Sequence, residues 1–97
     1  MHIMDLRKIT NAEFDANTMR ASKISRDVRD DCQICGKAVN SETCKTWVHI
    51  STEGILLDPN KSTEEYGYNV SQGFFPVGSE CAKSIPAQYK YVKAAQK

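Results

Sequence analysis

The feature that most limits what this chain can fold into is Cys32-Gln33-Ile34-Cys35-Gly36. Two cysteines two residues apart, followed by glycine, let the backbone bend so that both sulfurs face one ion. Gly36 suits the positive φ that such a turn adopts after its second cysteine. Half of a tetrahedral site is specified here, and the rest of the chain must supply the other half. The need for it is clear from size. A chain of 97 residues makes one domain. It buries only about 60–65% of its unfolded surface, so its core is marginal without a staple.

Cys81 is the natural third ligand. Ser79 reads as an N-cap, which places Cys81 in the first turn of a helix, where the helix dipole favours a thiolate. The fourth ligand is His49 or Cys44. His49 lies in Trp47-Val48-His49-Ile50, a strand whose direction fixes the ring, and it is the preferred candidate. Cys44 is the alternative, in the loop just before that strand. These residue types specify zinc, which takes sulfur at about 2.3 Å and nitrogen at about 2.0–2.1 Å. Four protein ligands close the site, so it reads as structural rather than catalytic. No HExxH, GxSxG or GxxxxGK[ST] pattern occurs, and the expectation is that the chain is not an enzyme. A thioredoxin-like redox pair needs a βαβ context that is missing. Disulfides need an oxidising compartment. The first residues, MHIMDLRKITNAEF, have no apolar core of a signal peptide, and no apolar run is long enough to span a membrane. The expected location is the cytoplasm, with thiols reduced.

The remaining pattern predicts a small α+β, zinc-stabilised domain. Its centre is a zinc-ribbon or treble-clef-like β-hairpin, with helices on its N- and C-terminal sides. Thr10-Asn11-Ala12-Glu13 has capping-box spacing and opens a helix that can run to about residue 30, with Lys23–Asp27 and Arg26–Asp30 as surface pairs. Residues 45–50 alternate as a strand, Ser51 to Gly54 turn, and Ile55 to Leu57 return. Residues 58–72 read as a polar loop with a short strand around Tyr66 to Val70. Gly73 to Gly78 is an apolar approach broken by Gly and Pro, and Pro86 opens a C-terminal helix. Three parts result: an arm over 1–31, a zinc module over 32–86 and a basic tail over 87–97.

Charge divides along the same lines. Residues 1–31 balance, residues 32–80 carry a net −3 and residues 81–97 a net +4. The tail interleaves Lys83, Lys90 and Lys93 with Tyr89 and Tyr91, and the arm adds Arg20, Lys23 and Arg26. Cations beside aromatics can neutralise phosphate and stack on bases. The same residues also make an ordinary solvated surface, because Asp27, Asp30 and Asp31 lie among the arm cations.

The segments CQICGKAV, WVHISTEGILLDP and SQGFFPVGSECAKSIP together resemble a group of small, mostly uncharacterised proteins of bacteriophages and mobile elements. The likeness covers about Cys32 to Pro86, and GFFPVGSECA is its most distinctive part. The resemblance implies a zinc-ribbon or treble-clef-like module with Cys32, Cys35 and Cys81 as ligands, and a phage accessory role. It implies no activity, and Cys44 stands outside the shared pattern. The resulting expectation is a structural zinc module that works by engaging a host or phage protein. The alternative is weak, salt-sensitive binding of DNA or RNA through the basic tail and arm.

Overall fold

A computed structural model of the chain describes residues 3–6 and 8–92. It is a small α+β fold with antiparallel sheets and one cysteine cluster. The centre is strand β3 (Thr46–Ser51). β4 (Leu56–Leu57) returns against it, with His49 opposite Leu57 and Ile50 opposite Leu56. Gly54, at φ +79°, makes the turn between them. The predicted hairpin is therefore present, and its alternation has the expected cause. Val48 and Ile50 are buried in the core with Ile34, Val77 and Ile85.

The other flank of β3 is held by β5 (Ser71–Val77), in a register running from Thr46 opposite Val77 to Ile50 opposite Gly73. Residues 73–77, expected as part of an irregular apolar approach, are thus regular strand. Pro76 is tolerated because the strand lies at the sheet's rim, where a missing N–H costs no ladder bond. Its carbonyl still accepts the N–H of Gln33 at 3.2 Å. The strand expected around Tyr66 to Val70 is absent. In its place Ser62 caps a single helical turn, α2 (Thr63–Tyr66), accepting the Glu65 N–H at 3.1 Å.

The two ends of the chain also depart from expectation. Helix α1 (Asn11–Met19) starts as predicted, with the Thr10 side chain accepting the Glu13 N–H at 3.1 Å. It stops at Met19, well short of residue 30. The hydroxyls of Ser22 and Ser25 take the N–H groups of Ile24 and Asp27, a local bond that competes with the helix. The Arg29 guanidinium completes the end, donating to the carbonyls of Thr18 at 2.9 Å and Arg20 at 3.2 Å. Lys23 and Arg26 thus lie on an irregular segment and not on a helix. At the other end the predicted C-terminal helix is a short turn over Ala87–Tyr89 followed by strand β6 (Lys90–Val92). β3 extends beyond its pairing with β4, and β6 fills that slot with Trp47 opposite Tyr91. A vacant ladder edge outweighs weak helix propensity in a segment with two tyrosines and a valine. Lys93 lies outside the described residues.

β1 (Arg29–Asp31) and β2 (Ala38–Asn40) form a second, separate hairpin, and Cys32 to Lys37 is its tip. The expected boundary at residue 31 falls inside this hairpin. Gly36 sits at φ +81°, and a Cβ there would lie 2.6 Å from the Phe14 carbonyl oxygen and 2.9 Å from Thr18 Cγ2. The glycine is needed twice, for the turn and for the close approach of α1. Gly36→Ala should lower unfolding stability by about 2 kcal/mol or more. Chemical denaturation of the variant beside the parent measures this, and a loss under roughly 0.5 kcal/mol would contradict the packing described.

Candidate metal centre

The Cys32–Lys37 tip closes on itself through backbone bonds. Cys32 N–H donates to the Lys37 carbonyl and Gly36 N–H to the Cys32 carbonyl, each at 2.8 Å. This turn holds Cys32 and Cys35 together. β5 then delivers the chain to α3 (Ser79–Ala82), the single turn that carries Cys81. The Sγ atoms of Cys32, Cys35 and Cys81 lie within 4.8 Å of one another, and no disulfide joins them. All three are buried, at 0%, 8% and 2% exposure. Three sulfurs from two remote segments, converging without a disulfide, could hold a metal ion.

Two bonds that sequence reasoning did not single out support this cluster. Gly78 N–H donates to Cys32 Sγ at 3.2 Å. Asn17 of α1 donates its side-chain N–H to the Cys35 carbonyl at 2.7 Å. The first had a faint signal in the glycine that precedes Ser-Glu-Cys81. The second had none. The expected N-cap also shifts by one residue. Gly78 holds that position without a side-chain cap, and Ser79 is the first helical residue.

The electrostatics of the three thiols are unequal. Burial pushes Cys32 up, but the N–H groups of Cys35, Gly78 and Ile34 and the Cys81 thiol outweigh it, so Cys32 is held below the ordinary thiol range. Burial pushes Cys81 far above that range, and the neighbouring Cys32 and Cys35 push the same way. The helix-dipole stabilisation expected at Cys81 is thus outweighed. Cys32 therefore ionises more readily than Cys81, and a cation bound there would have to displace the Cys81 proton.

The structure does not bring His49 to these sulfurs. Side chains alternate along a strand, so His49 projects from the face of β3 opposite Val48 and Ile50, which pack with Cys32 and Cys81. Its direction is fixed by the sheet, as expected, but away from the cluster. The ring stacks on Phe74 at 4.3 Å between centroids and meets the edge of Tyr66 at 5.2 Å. Nδ1 lies 3.1 Å from the Asp58 carbonyl and must donate to it. Nε2 is then left to accept from the Ser71 hydroxyl. Neither nitrogen offers a lone pair to a metal. His49 instead fastens the two ends of the 58–72 loop to the sheet.

Cys44 is also outside the cluster. Its Sγ lies 3.3 Å from each of the Thr46 and Val77 carbonyls.

No protein-family model, curated protein or solved structure matches this chain.

The described residues considered for nucleic acid lie in several different settings. Lys83 is paired with Glu80 at 2.9 Å on the surface. Tyr89 packs against the core, and Tyr91 lies against Phe74 at 5.2 Å. Lys90 begins β6, and Arg20, Lys23 and Arg26 are exposed on the arm.

Two outcomes follow from this geometry. His49→Gln and His49→Ala should leave metal stoichiometry unchanged, while His49→Ala lowers stability by about 2–4 kcal/mol through lost packing and two stranded polar partners. Metal analysis beside thermal unfolding separates the two effects. Affinity for a divalent metal ion should rise with pH, because binding must expel the Cys81 proton. The expected slope is about tenfold per pH unit for each proton displaced. Competition titrations between about pH 6.5 and 8.5, corrected for the chelator's own protonation, measure it, and a flat profile would contradict a protonated Cys81.

Proposed function

We propose that this chain is a structural zinc-binding module that acts by binding, and that its target is a protein. The convergence of the Cys32, Cys35 and Cys81 sulfurs within 4.8 Å carries the metal reading. Zinc suits it because thiolates are soft ligands and no disulfide ties up the sulfurs. A knuckle at a hairpin tip, facing a cysteine on a short helix across a β-hairpin, is the layout of a treble-clef-like site. Zinc held there stabilises a small core by an amount on the order of 10 kcal/mol. The resemblance to phage and mobile-element proteins supports an accessory role, with a host or phage protein as the target.

An exposed apolar and acidic surface supports the protein target. Thr52 donates its N–H to the Val70 carbonyl at 2.8 Å and its hydroxyl to Asn69 at 3.2 Å, which joins the β3–β4 turn to the 58–72 loop. Those two segments expose Tyr68 (73%), Val70 (43%) and Ile55 (37%). Glu53, Glu64 and Glu65 belong to the same segments, so the complementary partner surface is basic with apolar anchors. Nucleic-acid binding has weaker support, since Tyr89 and Tyr91 are engaged in packing.

Native mass spectrometry of the full chain, with and without chelator, tests the metal reading. One zinc per chain and a collapse of folded charge states on chelation are expected. A metal-free chain with the mass of two disulfides, about 4 Da below the reduced form, would overturn it. A mobility-shift series over roughly 50–200 mM salt addresses nucleic acid separately, and a salt-sensitive shift at micromolar protein would favour that alternative.

A further inference from the structure

A tetrahedral ion bound by Cys32, Cys35 and Cys81 has a fourth position, and the backbone between the cysteines bears on what fills it. The Val77 carbonyl faces Cys44 Sγ at 3.3 Å, and the Gly78 N–H faces Cys32 Sγ at 3.2 Å. These two groups belong to one peptide. None of the described peptides is cis, so its C=O and N–H point in opposite directions. Cys44 and Cys32 therefore flank that peptide from opposite sides, and the peptide stands between Cys44 and the cluster. His49 projects from the far face of β3. Among the described residues, no other His, Cys, Asp or Glu joins the three sulfurs.

A cavity of about 430 Å³ opens on the cluster. Cys35 and Cys81 line it together with Asn17, Lys37, Gly78 and Glu80. Asn17 already donates to the Cys35 carbonyl, and the Glu80 side chain is 73% exposed and is not grouped with the sulfurs, so neither is placed at the fourth position. Resting on the metal reading above, we propose that the fourth position faces this cavity and takes an exchangeable neutral donor: water in the resting protein, replaceable by an imidazole nitrogen. Charge selects the donor class. Three thiolates on a dication sum to one net negative charge, and a fourth thiolate would double it beside sulfurs that are almost wholly buried. An imidazole adds no charge and suits zinc as well as sulfur does.

Cobalt(II) in place of zinc makes the position visible, because sulfur-to-cobalt charge transfer scales with the number of thiolates and the visible bands report the fourth donor. The full-length chain is loaded with cobalt in thiol-free buffer and titrated with free imidazole. The expected result is charge transfer of three thiolates, visible bands that shift saturably with imidazole, and the same behaviour in Cys44→Ala and His49→Gln. His2→Ala belongs in the set, since His2 is the chain's other histidine and lies outside the described residues; it too should leave the spectrum unchanged. A four-thiolate spectrum that Cys44→Ala reduces to three overturns the proposal. So does a spectrum altered by His2→Ala, or bands that imidazole leaves unmoved. Each of those leaves the metal reading standing. Absence of any thiolate-to-cobalt band removes the metal reading itself, and the exchangeable position with it.

Discussion

Everything in this fold depends on bringing Cys81 to Cys32 and Cys35. The knuckle alone is a tight turn with two sulfurs, and α3 alone is a single helical turn. Neither is stable by itself. Their meeting point is made by the sheet, because β5 runs antiparallel to β3 and ends at Val77, one residue before the Gly78 N–H that reaches Cys32. The position of the cluster is thus a product of strand register. A slip of β5 along β3 would invert which side chains face the core and withdraw Cys81 at the same time.

The two faces of β3 do different work. Val48 and Ile50 join the cysteines in the core, while His49 between them ties down the acidic loop through Asp58 and Ser71 and stacks on Phe74. The loop is further held by the Tyr66 hydroxyl, which accepts the Asp58 N–H at 2.9 Å. One strand thereby supports a buried thiol cluster on one side and an aromatic network on the other. The described residues include no helix long and apolar enough to cross a membrane.

The cysteine spacing was legible because C-x-x-C-G encodes a turn locally, and the β3–β4 hairpin was legible because alternation and a glycine turn encode it locally too. What escaped the sequence depended on distant partners. Whether His49 points to the cysteines or away from them depends on which face of β3 receives the knuckle, and that lies in no window around residue 49. β5 was obscured by Gly73 and Pro76, both acceptable on a rim strand. β6 was read as a helix because nothing local reveals the free stretch of β3 that it occupies. The early end of α1 was in principle visible in Ser22 and Ser25, whose hydroxyls offer the backbone an alternative to the helix.

The layout of the sheet also sets an order of assembly. β3 can pair with β4 across a short turn as soon as both exist, which is a fast local event. Its pairing with β5 must wait for the whole 58–70 loop, and its pairing with β6 must wait for the last described residues. Cys81 lies between those two late strands in the chain. Entropy of loop closure therefore places the sulfur cluster after β3–β4 and alongside β5 in folding. The chain must complete its longest-range contacts before its tightest ones can form.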